Sequence, residues 1–326
     1  MLTETQMLTA IACAVRAPSL HNTQPWLFTR VPEGILVRAD TTRWLRAEDP
    51  LGRELLLSCG GAVRHLVLGL RLQGLDVRCD LLPHPETDPD LVAAITIVGR
   101  RPVTPDDTEF DTASQLRHTD RSRFSEKTLP AEVLDRLRAV AELGGCFLDV
   151  LDDDDTLELA VLTARADHVA RAEPALRGEQ SRWTAHGSRP AEGVPATALP
   201  AHGAGRASPV RLRDFGADDS LRIVLDDDPE PPAAEHPVLV VLGTATDDRL
   251  SWVQCGWTLT EVLLSLTMEG LVASPLTQAL EIPGVRSCLR TALGLQGRPQ
   301  MVLRLGYPAG DGSARTGRRT VGEVLC

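Results

Sequence analysis

The chain has 326 residues, of which 43% are hydrophobic and 24% charged, and its formal net charge is −11 at pH 7. This composition predicts one large or two ordinary globular domains, and acidic runs at 152–155 and 226–228 argue against nucleic acid as a partner because they repel a polyanion. No apolar stretch reaches the roughly 18 residues of a membrane span, and the first residues lack a signal-peptide pattern, so we expect a cytoplasmic protein without membrane contact.

The first hundred residues predict one α+β unit. Residues 3–17 show helical apolar spacing that ends at Pro18, and residues 26–30 and 35–39 flank a Pro-Glu-Gly turn, which predicts a β-hairpin. Residues 51–74 predict a long and largely buried helix. The strand-like runs that complete the unit span 75–82 and 91–98.

A second unit of similar order follows a stretch rich in proline and aspartate at residues 102–111. Its core is a fully buried strand at 237–243 and a long buried helix at 250–270. The remaining predicted helices span 131–143, 157–172 and 285–293, and the remaining extended runs span 146–151, 271–276 and 299–305. We therefore divide the chain into residues 1–101 and 102–326.

Residues 174–236 predict an insertion within the second unit. Their composition turns to Pro, Gly, Ala, His and Arg with little periodicity, and they are far longer than an ordinary connection. The segment is either a lid-like cover or disordered. The apolar residues Trp183, Leu212 and Phe215 favour an ordered cover.

Other chemistries have little support in the sequence. The seven cysteines are scattered without C-x-x-C spacing, the eight histidines show no close metal-ligand spacing, and we predict no metal site. The motifs G-x-G-x-x-G, G-x-x-x-x-G-K-[ST], H-E-x-x-H and G-x-S-x-G are all absent. Dinucleotide-fold, P-loop, zinc-protease and serine-hydrolase chemistry are therefore not indicated.

The most informative string is Arg-Ala-Pro-Ser-Leu-His-Asn-Thr-Gln-Pro-Trp at residues 16–26, a polar loop between a helix and a strand. The amides of Asn22 and Gln24 each offer a donor and an acceptor, as the N3–H and carbonyl edge of a flavin ring requires. The alternative is that Ser19 and Asn22 only cap or turn the chain.

This string resembles the P-S-x-x-N-x-Q-P-W motif of FMN-dependent nitroreductases, and the whole chain is similar to the Acg-type nitroreductases. The resemblance implies an α+β, nitroreductase-like fold with two degenerate halves that form an intramolecular pseudo-dimer. It also implies that the loop, with Ser19, Asn22 and Gln24, reaches a flavin held mainly by the other half.

The segment 117–121 resembles the R-x-S-x-R start of a nitroreductase subunit, with Thr119 in place of serine. Two arginines at this spacing, Arg117 and Arg121, can share one phosphate, and the Thr119 hydroxyl can donate a further hydrogen bond. Outside that context the pair is ordinary surface charge.

Two later segments also resemble the family. Residues 268–277 resemble the segment that passes the flavin N5 edge and donates a backbone N–H, although they also fit a plain strand after a buried helix. The resemblance implies that Ser274, Pro275, Leu276 and Thr277 contact the flavin. Arg318 and Arg319 lie where the family places a basic pair on the phosphate. A disordered basic tail is the alternative.

The distribution of these pieces predicts a single site. The first unit contains the loop at residues 16–26 but no R-x-S-x-R-like segment, whereas the second unit contains that segment but no such loop. The chain can therefore assemble one FMN site, where a symmetric dimer makes two. No residue is predicted to be catalytic, because the flavin carries the chemistry.

The family commonly places a lysine near flavin N1 and O2, but the only lysine, Lys127, is in the wrong region. Arg211, Arg213 or Arg222 are possible substitutes.

Three functions follow from the resemblance. The first is an FMN-dependent oxidoreductase that takes electrons from NADPH or NADH and reduces small nitro- or quinone-like acceptors, or dehydrogenates a specialised metabolite. The second is a non-catalytic protein that binds or sequesters FMN in an occluded site. In the third, the chain binds no flavin and is a structural α+β protein. In each case we expect a monomer that acts as a pseudo-dimer, with further association left open.

Overall fold

A computed structural model describes residues 2–184, 191–198, 209–210, 212–213, 235, 237–310 and 314–326. The helices are α1 Glu4–Ala14, α2 Arg53–Arg71, α3 Pro105–Leu116, α4 Ala131–Leu143, α5 Asp153–Ala172, α6 Pro174–Trp183, α7 Arg249–Met268, α8 Gln278–Glu281 and α9 Pro283–Ala292. The strands are β1 Trp26–Val31, β2 Gly34–Ala39, β3 Leu75–Leu81, β4 Leu91–Arg100, β5 Cys146–Val150, β6 Val238–Thr244, β7 Val272–Pro275 and β8 Arg298–Gly306.

Two halves repeat one topology. Each half has a four-stranded antiparallel sheet, ordered β1-β2-β4-β3 in the first and β5-β6-β8-β7 in the second. A helix precedes the first strand of each sheet. In chain order, the long helix α2 connects β2 to β3 in the first half, and α7 connects β6 to β7 in the second. The predicted α+β architecture of two halves is confirmed.

The long helices α2 and α7 form the contact between the halves. Eighteen of the nineteen residues of α2 are buried, as expected of a helix that is covered on all sides. Glycines allow the two backbones to touch. A Cβ added at Gly60 would lie 2.1 Å from the Val253 carbonyl oxygen, and one added at Gly256 would lie 1.9 Å from that of Leu57. The contact is thus nearly reciprocal, as in the interface of a two-fold dimer.

The hydrophobic cores of the halves interlock. The core of the first half takes in Trp252 and Val253 from α7, and the core of the second half takes in Leu57 from α2. The C-terminal tail also returns to the first half, where Val324 is fully buried and the Cys326 N–H donates to the Phe28 carbonyl at 3.0 Å. The boundary between residues 1–101 and 102–326 stays a prediction, although both sheets respect it.

The stretch at 102–111 is not a plain linker, because α3 begins within it. Thr104 and Asp107 form a capping box, and Pro105 occupies the first turn. Proline stops a helix in its interior but is favoured, together with acidic residues, in the first turn, and this positional difference explains the divergence.

Most of the insertion, 174–236, lies outside the described residues, including Phe215. Its described part begins with α6, whose Trp183 ring packs under the Arg43 guanidinium at 5.3 Å. Leu212, farther along, is buried in the core of the second half. Whether the segment acts as a lid stays a prediction.

Among the described residues, no helix combines the length and the apolar character that crossing a bilayer would require. The same residues contain no group of three or more histidine, cysteine, aspartate or glutamate side chains placed to hold a metal ion.

Candidate functional site

A cavity lies where the two halves meet. It contains about 1030 Å³ of empty space including its open mouth, against about 300–1,000 Å³ for typical small-molecule sites. One face of α2 lines it from the first half, because positions three, four and seven apart share a helix face. The α2 residues on this face are Glu54, Leu57, Ser58 and Gly61, and α7 contributes Gly256, Leu259 and Leu263.

The loop at residues 16–26 enters this cavity in a strained conformation. His21, Asn22 and Gln24 have φ values of 45°, 56° and 51°, a left-handed region that costs a residue other than glycine about 1–3 kcal/mol. The Ser19 hydroxyl holds the turn by accepting from the Gln24 N–H at 2.9 Å. Such strain persists where the surroundings enforce it, and it is frequent at ligand sites.

Asn22 and Gln24 both hold neighbouring segments against the loop. The Asn22 amide donates to the carbonyls of Gly193 and Gly317, each at 3.1 Å, and its oxygen accepts from Arg318 at 3.1 Å. The Gln24 amide donates to the Ala191 carbonyl at 2.7 Å. These bonds tie the insertion and the tail to the loop.

Arg319 completes this clamp from the tail. Its N–H donates to the Gln24 side-chain oxygen at 2.8 Å, and its guanidinium donates to the Gln24 carbonyl at 3.1 Å. Neither Gln24 nor Arg319 lines the cavity. Their assignment as cofactor ligands therefore stays a prediction, and what the structure shows for both is an anchoring contact.

An arginine-rich cavity adjoins the first. It holds about 940 Å³ of empty space and shares six lining residues with its neighbour. The shared residues are Pro18, Ser19, Arg117, His118, Thr119 and Arg121. Asn22, Arg315 and Arg318 line only the second cavity. Of the twelve predicted ligands, all except Gln24 and Arg319 thus border one cavity or both.

Arg117 is the most unusual of these residues. Its side chain is 9% exposed and makes no hydrogen bond or ion pair with any described residue. Burial lowers its pKa to about 9, and the charges of Arg318 and Arg315 add to the shift. Arg318 bonds only uncharged oxygens, and burial lowers its pKa to about 10. Buried guanidinium groups that repel one another and lack an acid are suited to an anion.

The segment 117–121 lies beside β7. The Asp120 N–H donates to the Ala273 carbonyl at 3.0 Å, and the backbone of Thr119 forms an isolated parallel β-bridge with Ala273. This pairing sets the predicted phosphate ligands next to the segment Ser274–Thr277.

The ladder between β7 and β8 decides which backbone N–H of that segment is available. The Leu276 N–H donates to the Val302 carbonyl at 2.9 Å. Because donors alternate along an antiparallel strand, the Ser274 N–H also faces β8. Pro275 has no N–H, so Thr277 is the member of the segment whose N–H can face a ligand.

Two residues that line the cavity, His21 and Arg213, pair with buried acids behind its wall. His21 Nε2 lies 2.7 Å from Glu48, and Arg213 lies 3.2 Å from Glu48 and 2.5 Å from Glu281. Against the opposing effect of burial, His21 and then Arg213 lower the pKa of Glu48 to about 2. Arg213 also donates to the Thr277 hydroxyl at 3.4 Å.

Arg213 thus brings a cation from the insertion to the cavity wall, whereas Arg211 and Arg222 lie outside the described residues. Lys127 lines neither cavity, and its ammonium group lies 3.7 Å from the centre of the Tyr307 ring.

Full-length relatives identify the family. The Mycobacterium tuberculosis protein named "Putative NAD(P)H nitroreductase Rv3131" is 34% identical over 323 residues, which cover 97% of this chain and 90% of the relative. The protein named "Putative NAD(P)H nitroreductase acg", from the same organism, is 30% identical over 328 residues, 100% of this chain and 96% of the relative. The chain belongs to the Acg-type NAD(P)H nitroreductase family. The resemblance drawn from residues 16–26 is confirmed.

More distant similarities exist among solved structures, and no family model matches the Acg-type chain. An FMN-bound nitroreductase from Bacteroides fragilis is 14% identical over 67% of this chain and 98% of its own, with a TM-score of 0.39. NfnB from Mycobacterium smegmatis, solved with NADPH, is 16% identical over 66% and 96% of the respective chains, also with a TM-score of 0.39.

The asymmetry of the Acg-type chain has a local cause. In the first half, residues 15–25 connect α1 to β1, whereas Gly144 and Gly145 alone connect α4 to β5 in the second. A Cβ added at Gly144 would lie 2.1 Å from the Thr258 hydroxyl, so this short turn packs directly onto α7. The second half therefore has no counterpart of the loop at residues 16–26 between its first helix and its first strand.

Sequence reasoning missed the cavity residues of α2, and His21 was not among the predicted ligands. Glu54 shares a helix face with Ser58, but its spacing alone gives no sign that the face is open to a cavity. Arg315 was also missed, since only its position relative to α3 shows its importance.

We expect Gln24→Ala to release the tail. The substitution removes the acceptor of the Arg319 N–H and the donor to Ala191, and a buried group left without its partner costs about 1–3 kcal/mol. Limited proteolysis should then cleave within residues 314–326 at least ten times faster, with a lower melting temperature. Gln296→Ala, at an exposed position, is the control. Unchanged proteolysis would show that Gln24 does not anchor the tail.

Proposed function

We propose that this Acg-type chain binds one FMN in the cavity between its halves. We further propose that it acts as an FMN-dependent oxidoreductase, taking electrons from NADPH or NADH and reducing small nitro- or quinone-like acceptors. The observation that supports the proposal most strongly is that Arg117, a buried guanidinium without an acidic partner among the described residues, lines a largely apolar cavity. The names of the full-length relatives support the same activity.

The phosphate of FMN fits the arginine end. A phosphate monoester carries about −1.5 to −2 charges at pH 7, which matches the uncompensated charges of Arg117 and Arg318. Guanidinium forks bind phosphate oxygens in pairs, and the hydroxyls of Ser19 and Thr119 border the same space. Filling this site removes the repulsion between the two arginines.

The flavin ring fits the other end. Leu57 from the first half and Leu259 and Leu276 from the second give apolar walls, and the Thr277 N–H would donate to the ring edge. Arg121 and Arg213 bring positive charge to the same cavity. When bound, FMN would supply hydride transfer at N5, and these residues would orient the ring and favour its negatively charged reduced form.

The second candidate is a non-catalytic FMN-binding protein. The observation that favours it is Arg213, which joins the insertion to Glu48 of the first half and Glu281 of the second. Such a bridge over the ring end would restrict entry of a donor or an acceptor. We infer that the protein works as a monomer, since both halves of the site come from one chain.

An anaerobic absorbance titration separates these candidates. We expect the flavin-free protein to take up FMN and to discriminate against riboflavin by at least about 100-fold, because riboflavin lacks the phosphate. Addition of NADPH or NADH should then bleach the flavin band within seconds, and a quinone should restore it. A band that only dithionite bleaches would favour the binding protein. A chain that takes up no FMN would contradict both candidates.

A further inference from the structure

Glu54 is a buried acid that faces the cavity and has no part in holding FMN as described above. It is 3% exposed and lies in the first turn of α2, on the face formed with Leu57, Ser58 and Gly61. A carboxyl group in an apolar cavity is costly, and proteins usually keep one there only where it is paired or used.

The partners of Glu54 account for only one of its oxygens. Arg53, its neighbour in the chain, donates to Oε1. No described residue forms a hydrogen bond with the other oxygen, Oε2. This oxygen is not among the fully buried polar atoms that lack a partner, and Glu54 lines the cavity, so we take Oε2 to face the cavity. Arg53 is itself held from behind, because it also donates to the Gln300 carbonyl. The carboxyl is thus fixed on one side and free on the other.

The proposed reaction needs a proton at this place. Reduction of a quinone-like acceptor by two electrons consumes a hydride and a proton, and the carboxyl of Glu54 lines the cavity in which the acceptor would react. A positioned acid contributes about 10²–10⁴-fold to such a transfer.

Resting on the proposed function, we propose that Glu54 is the proton donor for the acceptor. Its O–H bond breaks as an O–H bond forms on one acceptor oxygen, while a hydride that originates in the nicotinamide donor brings two electrons to the acceptor and completes its reduction. A proton taken up from the bulk solvent, and relayed by water at the cavity mouth, then reprotonates the carboxylate. Glu54 is therefore a catalytic residue that reaches the substrate from the half opposite to the predicted phosphate ligands Arg117 and Arg121.

The electrostatic surroundings suit this role. Burial raises the pKa of Glu54 to about 7 against the opposing charge of Arg53, and Asp49 and Glu281 add to the rise. A carboxyl that titrates near neutral pH can both give and regain a proton. The charged and titratable groups near it are Arg53 on α2, Asp49 before α2, Cys255 on α7, Glu281 on α8, Arg286 on α9, and the cavity-lining Arg121 and Arg213.

Glu54→Gln tests the proposal because it keeps the shape of the side chain and removes its proton. We expect the two half-reactions to separate. Bleaching of the flavin by NADPH should stay within threefold of wild type, whereas reoxidation by a quinone should slow at least 100-fold and lose its pH dependence near pH 7. Glu54→Asp should recover part of that rate. Glu261→Gln, a partly exposed acid on α7 outside the cavity, is the matched control.

Infrared difference spectra of the flavin-free protein give a readout that needs no turnover. The wild type minus Glu54→Gln spectrum should show a protonated carboxyl band that disappears as the pH rises through about 7. The pKa of Glu54 in the folded protein lies above its unfolded value of 4.5, so the protonated carboxyl contributes to the free energy of unfolding at low pH. This contribution is fully present below about pH 4.5 and is lost as the pH rises through about 7. Glu54→Gln should remove that loss.

The outcomes are distinct. Equal reoxidation rates in Glu54→Gln and wild type would overturn the proposal while leaving FMN binding intact. A carboxyl that titrates near pH 4.5 would also overturn it. Failure to bind FMN would contradict the proposed function, and the infrared titration would still decide whether Glu54 holds a proton at neutral pH.

Discussion

Arg117→Met is expected to weaken FMN binding by roughly 30- to 4000-fold while making the flavin-free protein more stable. The loss of affinity follows because truncating one partner of a buried charge pair costs about 2–5 kcal/mol. The gain in stability follows because methionine fills a similar volume without a buried charge, and Arg117 has no acidic partner among the described residues to offset its desolvation. The opposite signs set this substitution apart from an ordinary destabilising one.

Fluorescence titration with FMN and urea unfolding of the flavin-free protein measure the two effects. Arg138→Met is the control, because Arg138 is an exposed arginine of α4 that pairs with Asp135. It should change neither quantity beyond experimental error. An Arg117→Met protein that binds FMN as tightly as wild type would remove Arg117 from the phosphate site.

Gly60→Ala is expected to cost about 3 kcal/mol of folding stability or more. Its Cβ would meet the Val253 carbonyl oxygen at 2.1 Å, so the backbones of α2 and α7 would have to separate. Overpacking a core typically costs about 1–3 kcal/mol, and backbone atoms cannot rotate away as side chains do. Because both helices line the cavity, FMN binding should weaken as well.

Gly284→Ala is the matched control for this prediction. Gly284 lies in the first turn of α9, and a Cβ added there meets no atom within 4 Å. Alanine favours the helix, so we expect no loss of stability and a gain of up to about 1 kcal/mol. Urea unfolding compares the variants. A Gly60→Ala protein as stable as wild type would show that α2 and α7 do not cross closely at this point.

The regular elements were predictable because each depends on a local pattern. The buried strand β6 and the long helices α2 and α7 follow from apolar runs and helical spacing, and their bounds lie within a few residues of those expected. The start of α3 was not predicted, because Pro105 and its acidic neighbours were taken as a break in the chain. Their capping role depends on where the helix begins.

The site was predictable only where a motif marks it. Ser19, Asn22 and Arg117 were located through strings that resemble a known family, and all three border the cavities. Glu54 belongs to no such string, and Arg213 was named only as one of three arginines that could replace a lysine near the ring. Their importance arises from contacts between residues far apart in the chain, and hydrophobic periodicity carries no information about such contacts.

Asn22 and Gln24 show a further limit of motif reading. Amides suit a flavin edge, but they suit backbone groups equally well. In the structure both side chains bond the insertion, and each also meets the tail. These bonds hold the left-handed turn beside the cavity, and the assignment of both residues as cofactor ligands stays a prediction.

The central claim is that one polypeptide builds one flavin site between its two halves. Native mass spectrometry of the protein titrated with FMN tests this most directly. We expect a single 35.2 kDa chain that saturates with one FMN and does not need a second chain for binding. Two FMN molecules per chain, or binding only by a dimer, would contradict it.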